Sequence, residues 1–280
     1  MNRLELNFSQ NSHGPLRAVF ARCTLLALLL SGSMSAARAD GDDALLQLSS
    51  GSLQTPLIEL YTSEGCSSCP PADRWLQRLG AEEELWSRYV PVAFHVTYWN
   101  YLGWRDRFSQ PAFDERQRAL AQRAGSGVYT PGVFLQGREW RNWRRPGSGA
   151  AHLTEQRPVT GVLQAKVGCQ QSQVQFAVDP AAKQSPTHVE IAWLQSSQHS
   201  DVSRGENRGR RLEHDFVVAS HRRLPLSRDA QGTRLTANVV GACDRGAEPQ
   251  AVAVWVTDAA GSPLQAVGGH LPAGFVSGGR

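Results

Sequence analysis

The chain has 280 residues, of which 41% are hydrophobic and 19% charged, and a formal net charge of +4. That composition excludes a disordered tail and a bundle of membrane spans. Arg3, Arg17, Arg22 and Arg38 against Glu5 place +3 of the charge in residues 1–39, so the rest is near +1 and carries no electrostatic footprint for nucleic acid.

In chain order, Arg17 and Arg22 precede an apolar run over residues 23–30, and small residues lead to Ala37-Arg38-Ala39 before Asp40. This is the pattern of a cleaved export signal over residues 1–39. The run is shorter than the roughly 20 residues of a membrane anchor, although a short uncleaved anchor is the alternative. A periplasmic or secreted location is expected, with no transmembrane anchor after cleavage.

Residues 40–54 are polar and read as a loose leader. A short apolar strand follows at 57–61. After a turn, Cys66-Ser67-Ser68-Cys69 opens a helix, with Pro70 and Pro71 in its first turn and Gly80 at its end. A short acidic helix is expected over 82–88, then a strand over 90–96. An aromatic loop carries Tyr98, Trp99, Tyr101 and Trp104. Pro111 opens a second helix through Phe113, Gln117 and Leu120, ending at Gly125. Thr130-Pro131 leads to a strand at 133–135, a Gln136-Gly137 turn and a weaker strand over 138–143. The order βαβαββ implies a partly parallel sheet covered by helices.

Pro146-Gly147-Ser148-Gly149 punctuates the chain. Beyond it, strand candidates at 159–167, 174–178, 189–193, 211–219, 234–240, 252–256 and 263–268 suggest an antiparallel sandwich of about seven strands. The expected architecture is an α/β domain over 55–150 followed by a β-sandwich-like domain over 158–280.

Four of the five cysteines remain after cleavage, and an even count in an exported chain suggests two disulfides. We pair Cys66 with Cys69 and Cys169 with Cys243; the second bridge closes a long loop worth roughly 4–5 kcal/mol in the chain-entropy model. A C-x-x-C at a helix start sets two thiols one turn apart, with Cys66 at the positive end of the helix dipole. Its thiolate is then the attacking group, and Cys69, less exposed, resolves the mixed disulfide. A structural zinc would need a second pair at similar spacing, and the sequence has none. With no cation between the cysteines and Glu64 nearby, the pair is expected to be less oxidising than one holding a histidine.

The strand, C-x-x-C and helix over residues 55–145 resemble the thioredoxin superfamily. That resemblance implies an α/β thioredoxin-like fold, a cis proline at Pro131 whose neighbour Thr130 positions substrate, and a buried acid below the cysteines, for which Glu59 is the candidate. A trans Pro131 and a solvent-facing Glu59 are the plainer readings. The stretch from Ile58 to Asp73, with Phe94-His95-Val96, Tyr98-Trp99, Tyr101-Leu102-Gly103-Trp104-Arg105-Asp106 and Gly205-Glu206-Asn207-Arg208-Gly209-Arg210, closely resembles a family of secreted bacterial proteins of unknown function. That family usually carries acids where Thr97 and Asn100 stand here.

The expected activity is thiol–disulfide exchange on exported proteins or small disulfides, recharged by a redox partner protein and needing no cofactor. One alternative is a copper-binding dithiol using Cys66, Cys69 and His95. Another is a redox-inert protein that presents its second half to a partner. Tyr98, Trp99, Tyr101 and Trp104 of the 98–108 loop either line a peptide groove or pack the loop down. Arg138, Arg141, Arg144 and Arg145 with Trp140 and Trp143 form a basic aromatic cluster, read as an anion site or a solvated face. The Arg-rich stretch 204–211 lacks the features of a phosphate-cradling P-loop.

Overall fold

The computed structural model describes residues 46–145, 157–230, 234–240, 248–273 and 275. The expected export signal and Cys243 lie outside the described residues. Among these residues no helix is long and apolar enough to cross a membrane.

Strand β1 (Leu46–Ser49) lies within the expected leader and pairs antiparallel with β6 (Gly161–Val167). The buried strand β2 (Leu57–Thr62) leads to α1 (Pro70–Gly80). Proline fits the first helical positions because its φ is fixed and its missing N–H would have no partner there. Next come β3 (Val90–His95), α2 (Pro111–Ala124), β4 (Gly132–Leu135) and β5 (Arg138–Glu139). Gly125 closes α2 at φ +63°, a left-handed position that glycine takes without a Cβ penalty.

The expected helix over 82–88 is a set of turns. Trp86 sits at φ +67°, and a helix of about two turns repays too little of its nucleation cost to persist. The expected strand over 138–143 stops after two residues and gives way to a 3-10 turn, Arg141–Arg144.

The second half supplies β7 (Gln171–Val178), β8 (His188–Gln195), β9 (Gln198–Asp201), β10 (Arg211–His214), β11 (Val217–Pro225), β12 (Ser227–Arg228), β13 (Leu235–Val240), β14 (Ala251–Thr257) and β15 (Pro263–His270). These strands overturn the expected α/β thioredoxin-like domain followed by a separate sandwich. Strand far outweighs helix among the described residues, which contain two α-helices. One mixed sheet of eight strands runs β15-β14-β8-β11-β3-β2-β4-β5, so it draws on both halves of the chain. A five-stranded antiparallel sheet, β1-β6-β7-β13-β12, and the β9–β10 hairpin complete the fold.

The seam of the large sheet is narrow. β11 meets β3 in parallel at Val217 opposite Ala93, where the Ala93 amide donates to the Phe216 carbonyl at 2.8 Å. Beyond the seam the two halves share a core through β14, whose seven residues are all buried. Val252, Val254 and Val256 enter a core shared with the five-stranded sheet, while Ala251, Ala253 and Trp255 join the core that holds both helices. Burying a large apolar side chain contributes about 1.5–3 kcal/mol. A strand apolar on both faces is therefore stable inside a layered sheet and unstable on a half-solvated sandwich.

Candidate functional site

The two cysteines stand between β2 and α1. Because Pro70 and Pro71 take the first helical positions, Cys69 is the N-cap and Cys66 lies in the turn before it. The Cys69 amide donates to the Cys66 carbonyl at 3.2 Å, and Cys69 in turn accepts from the amides of Ala72 at 2.8 Å and Asp73 at 3.2 Å. The expected placement of Cys66 at the helix start is thus one turn out. Both cysteines are free thiols.

Hydrogen bonds polarise the pair. Those from Cys69, then from Ser68 and Thr130, outweigh burial and bring Cys66 down to about 6. Ser68 Oγ lies 3.3 Å from Cys66 Sγ. Burial first, then the neighbouring Cys66, push Cys69 well above the ordinary thiol value. Glu64 does not govern Cys66: its carboxylate accepts from Trp104 Nε1 at 2.7 Å and faces His214 at 3.6 Å.

Thr130 and Pro131 come to the same place, joined by a cis peptide bond. The Thr130 hydroxyl accepts from Trp99 Nε1 at 2.7 Å, and its carbonyl accepts from Ser68 Oγ at 3.5 Å. Trp99 packs so close to Gly65 that a Cβ there would lie 2.9 Å from the Trp99 Cβ. Tyr98 donates to Gln117 at 3.1 Å, so Tyr98, Trp99 and Trp104 tie their loop to the fold while Tyr101 stays 78% exposed.

Cys66, expected to be open to attack, is 0% exposed, as is Cys69, whereas Ser67 and Ser68 face solvent. The cover comes from the turn between β9 and β10. Asn207, itself fully buried, donates from Nδ2 to the Glu64 and Cys66 carbonyls, both at 2.9 Å. Glu206 accepts from the Ser67 amide at 3.0 Å. Gly205 and Gly209, at φ +75° and +79°, make the tight turn that presents these two side chains.

Glu59 is buried but takes no part here. Alternation along β2 turns it away from Thr62, and it accepts from Arg116 Nε at 2.7 Å and from the Tyr61 hydroxyl at 3.0 Å. Other carboxylates lie beneath the cysteines. Thr62 Oγ1 donates to Asp73 at 3.0 Å. His214, from β10, stands between Asp73 at 3.7 Å and Glu64 at 3.6 Å. Burial opposes its cation, but the two carboxylates overcome that and raise His214 to about 10. His95 bonds Asp106 at 2.7 Å and packs edge-on to His214, with centroids 4.9 Å apart. Burial would raise Asp106, but the His95 charge and hydrogen bond and the Glu64 and Phe108 amides hold it below the usual range.

The structure does not bring Cys66, Cys69 and His95 together as ligands. Among the described residues no three His, Cys, Asp or Glu side chains are grouped to hold a metal ion. Cys169 is disulfide-bonded; its expected partner, Cys243, lies outside the described residues. The basic aromatic cluster divides. Trp140 and Trp143 pack on Trp75, Arg144 lies over the Trp143 ring, and Arg141 pairs with Glu139 at 3.0 Å. Sequence reasoning missed Asp73, Asp106 and His214. The signal for His214 was its inward position beside Leu212 on an alternating strand.

The model of a protein family of unknown function, DUF1223, matches residues 57–257. No curated protein matches the chain. A crystallised protein from Agrobacterium tumefaciens, AGR_C_4864, is similar in fold, with 24% identity, 79% of this chain and 96% of that chain covered, and a TM-score of 0.58. HBP35 of Porphyromonas gingivalis is similar over 79% of this chain and 76% of its own, with 14% identity and a TM-score of 0.54.

Proposed function

We propose that this chain, which belongs to the DUF1223 family of proteins of unknown function, is an exported thiol–disulfide oxidoreductase acting through Cys66 and Cys69. The observation that carries the reading is the asymmetry of two adjacent free thiols. Cys66 is lowered to about 6 by donors from Cys69, Ser68 and Thr130, and Cys69 is held protonated by burial. The local strand, C-x-x-C and helix, with Thr130-Pro131 beside it, supports the same chemistry as the similar unit of thioredoxins. The leader-like pattern of residues 1–39 supports export.

The Cys66 thiolate attacks one sulfur of a substrate disulfide, forming a mixed disulfide and releasing the other sulfur as a thiolate that takes a proton from water. Cys69 then attacks Cys66 Sγ, its proton passing to the departing substrate sulfur. The second substrate thiol leaves, the substrate gains two electrons and the protein holds a Cys66–Cys69 disulfide. A dithiol protein returns the two electrons. Because the β9–β10 turn covers Cys66, substrate entry requires that turn to lift.

The test is turnover of insulin disulfides with dithiothreitol as reductant. Wild type should accelerate reduction, and Cys66→Ser should fall to the uncatalysed rate; equal rates would remove the proposal.

A further inference from the structure

At the other end of β2 from the cysteines lies a cavity of about 550 Å³. It is an open cleft bounded by the segment entering β2, the C-terminal end of α2, the β4–β5 turn and the β14–β15 turn. Arg123, Arg138 and Arg157 line it together with Gln54, Gln136 and Gln184, and among the described residues no Asp or Glu does. Among the described residues none of the three arginines has a carboxylate within salt-bridge distance.

Two of the guanidiniums are held in place by hydrogen bonds to the protein. Arg157 donates from Nε to the Gln54 carbonyl and from Nη2 to Thr55 Oγ1 at 3.3 Å. Arg123 donates from Nη2 to the Gly261 carbonyl at 3.4 Å. Burial first, and then the neighbouring cation Arg88, hold Arg157 below the usual arginine value.

We propose that this cavity is an anion site for a phosphate-bearing ligand, a free phosphorylated molecule or a phospholipid headgroup. Like charges brought together without a counter-ion repel, and a multivalent anion between them removes that cost. Planar guanidinium forks match phosphate and carboxylate oxygens in pairs, and the glutamine amides add neutral donors. The volume exceeds that of a bare phosphate ion and suits a phosphorylated organic group. Six residues of strand, roughly 20 Å, separate the cavity from the turn that leads to Cys66, so a ligand here leaves the dithiol uncovered. The site stands independently of the redox reading.

The experiment has two arms on the mature chain: calorimetric titration with pyrophosphate, and flotation with vesicles of phosphatidylcholine and phosphatidylglycerol. Arg138→Ala and Arg123→Gln change exposed side chains, the second with loss of the Gly261 bond; Arg157→Ala removes the bonds to the Gln54 carbonyl and the Thr55 hydroxyl and is the secondary variant. The expected result is one site per chain, weakened at least ten-fold by Arg138→Ala and by added salt, with the Cys66 alkylation rate unchanged as a control of folding. Binding in the pyrophosphate arm assigns a soluble ligand, and variant-sensitive binding to vesicles assigns a headgroup. Absence of binding in both arms, or binding that the arginine variants leave unchanged, overturns the proposal.

Discussion

Asn207 donates a hydrogen bond to the Cys66 carbonyl across 141 residues of sequence, at 2.9 Å, so the second half of the chain closes over the thiols carried by the first. The same amide nitrogen holds the Glu64 carbonyl. Asn207→Ala leaves two carbonyls without this donor, at an expected cost of about 1–3 kcal/mol. It should also raise the alkylation rate of Cys66 by about ten-fold at neutral pH by loosening the cover. Thiol trapping with iodoacetamide followed by mass spectrometry measures it; an unchanged rate would show that the turn is no barrier.

The pH dependence of that alkylation follows from the donors around Cys66. The wild-type rate should rise with a midpoint near pH 6. In Cys69→Ala the first of those donors is gone, and the midpoint should move up towards the ordinary thiol value of about 8.5. A wild-type midpoint above pH 8 would contradict the polarised pair.

His214 links stability to pH. Its folded value near 10 lies above the free value of about 6.5, so the cation is favoured in the folded chain. The associated stability is fully present below about pH 6.5 and is lost as pH rises through about 10. Urea denaturation at pH 6, 8 and 10 should show wild type weakening faster than His214→Gln across that window. Parallel slopes would place the cation elsewhere.

Arg116, on α2, joins the halves of the sheet from below. Its Nε meets Glu59 of β2 at 2.7 Å and its Nη1 meets Glu190 of β8 at 2.5 Å, with the guanidinium over Phe94 and Trp255. Burial alone would raise Glu190, but Arg116, His221 and Arg223 hold it at about 2. Arg116→Met strands two buried carboxylates and should cost about 3–5 kcal/mol by chemical denaturation. Replacing Glu59 and Glu190 with glutamine in the same chain should recover part of that loss, because the uncompensated charge disappears.

What the sequence made legible was local. The Cys66 to Cys69 spacing, the tandem prolines, the Gly125 stop and most second-half strands follow from neighbours a few residues apart. The cover was not legible, since Glu206 and Asn207 meet Ser67 and Cys66 across more than a hundred residues. Glu59 misled because an acid on a strand before a C-x-x-C does not reveal which face it takes, and here that face belongs to Arg116. The fold class failed at β11 and β14. An antiparallel sandwich leaves one face of such a strand to solvent, yet Ala251, Ala253 and Trp255 are as buried as the valines between them. The pairing of Val217 with Ala93 has no short-range signature at all.

That pairing has a consequence for biogenesis. Ala93 finds its neighbour, and Cys66 its shelter, after residues beyond 200 have emerged. An incomplete polypeptide therefore carries naked sulfurs in whatever compartment it occupies. Completion is what covers them, so the finished molecule meets its surroundings with Cys66 already shuttered.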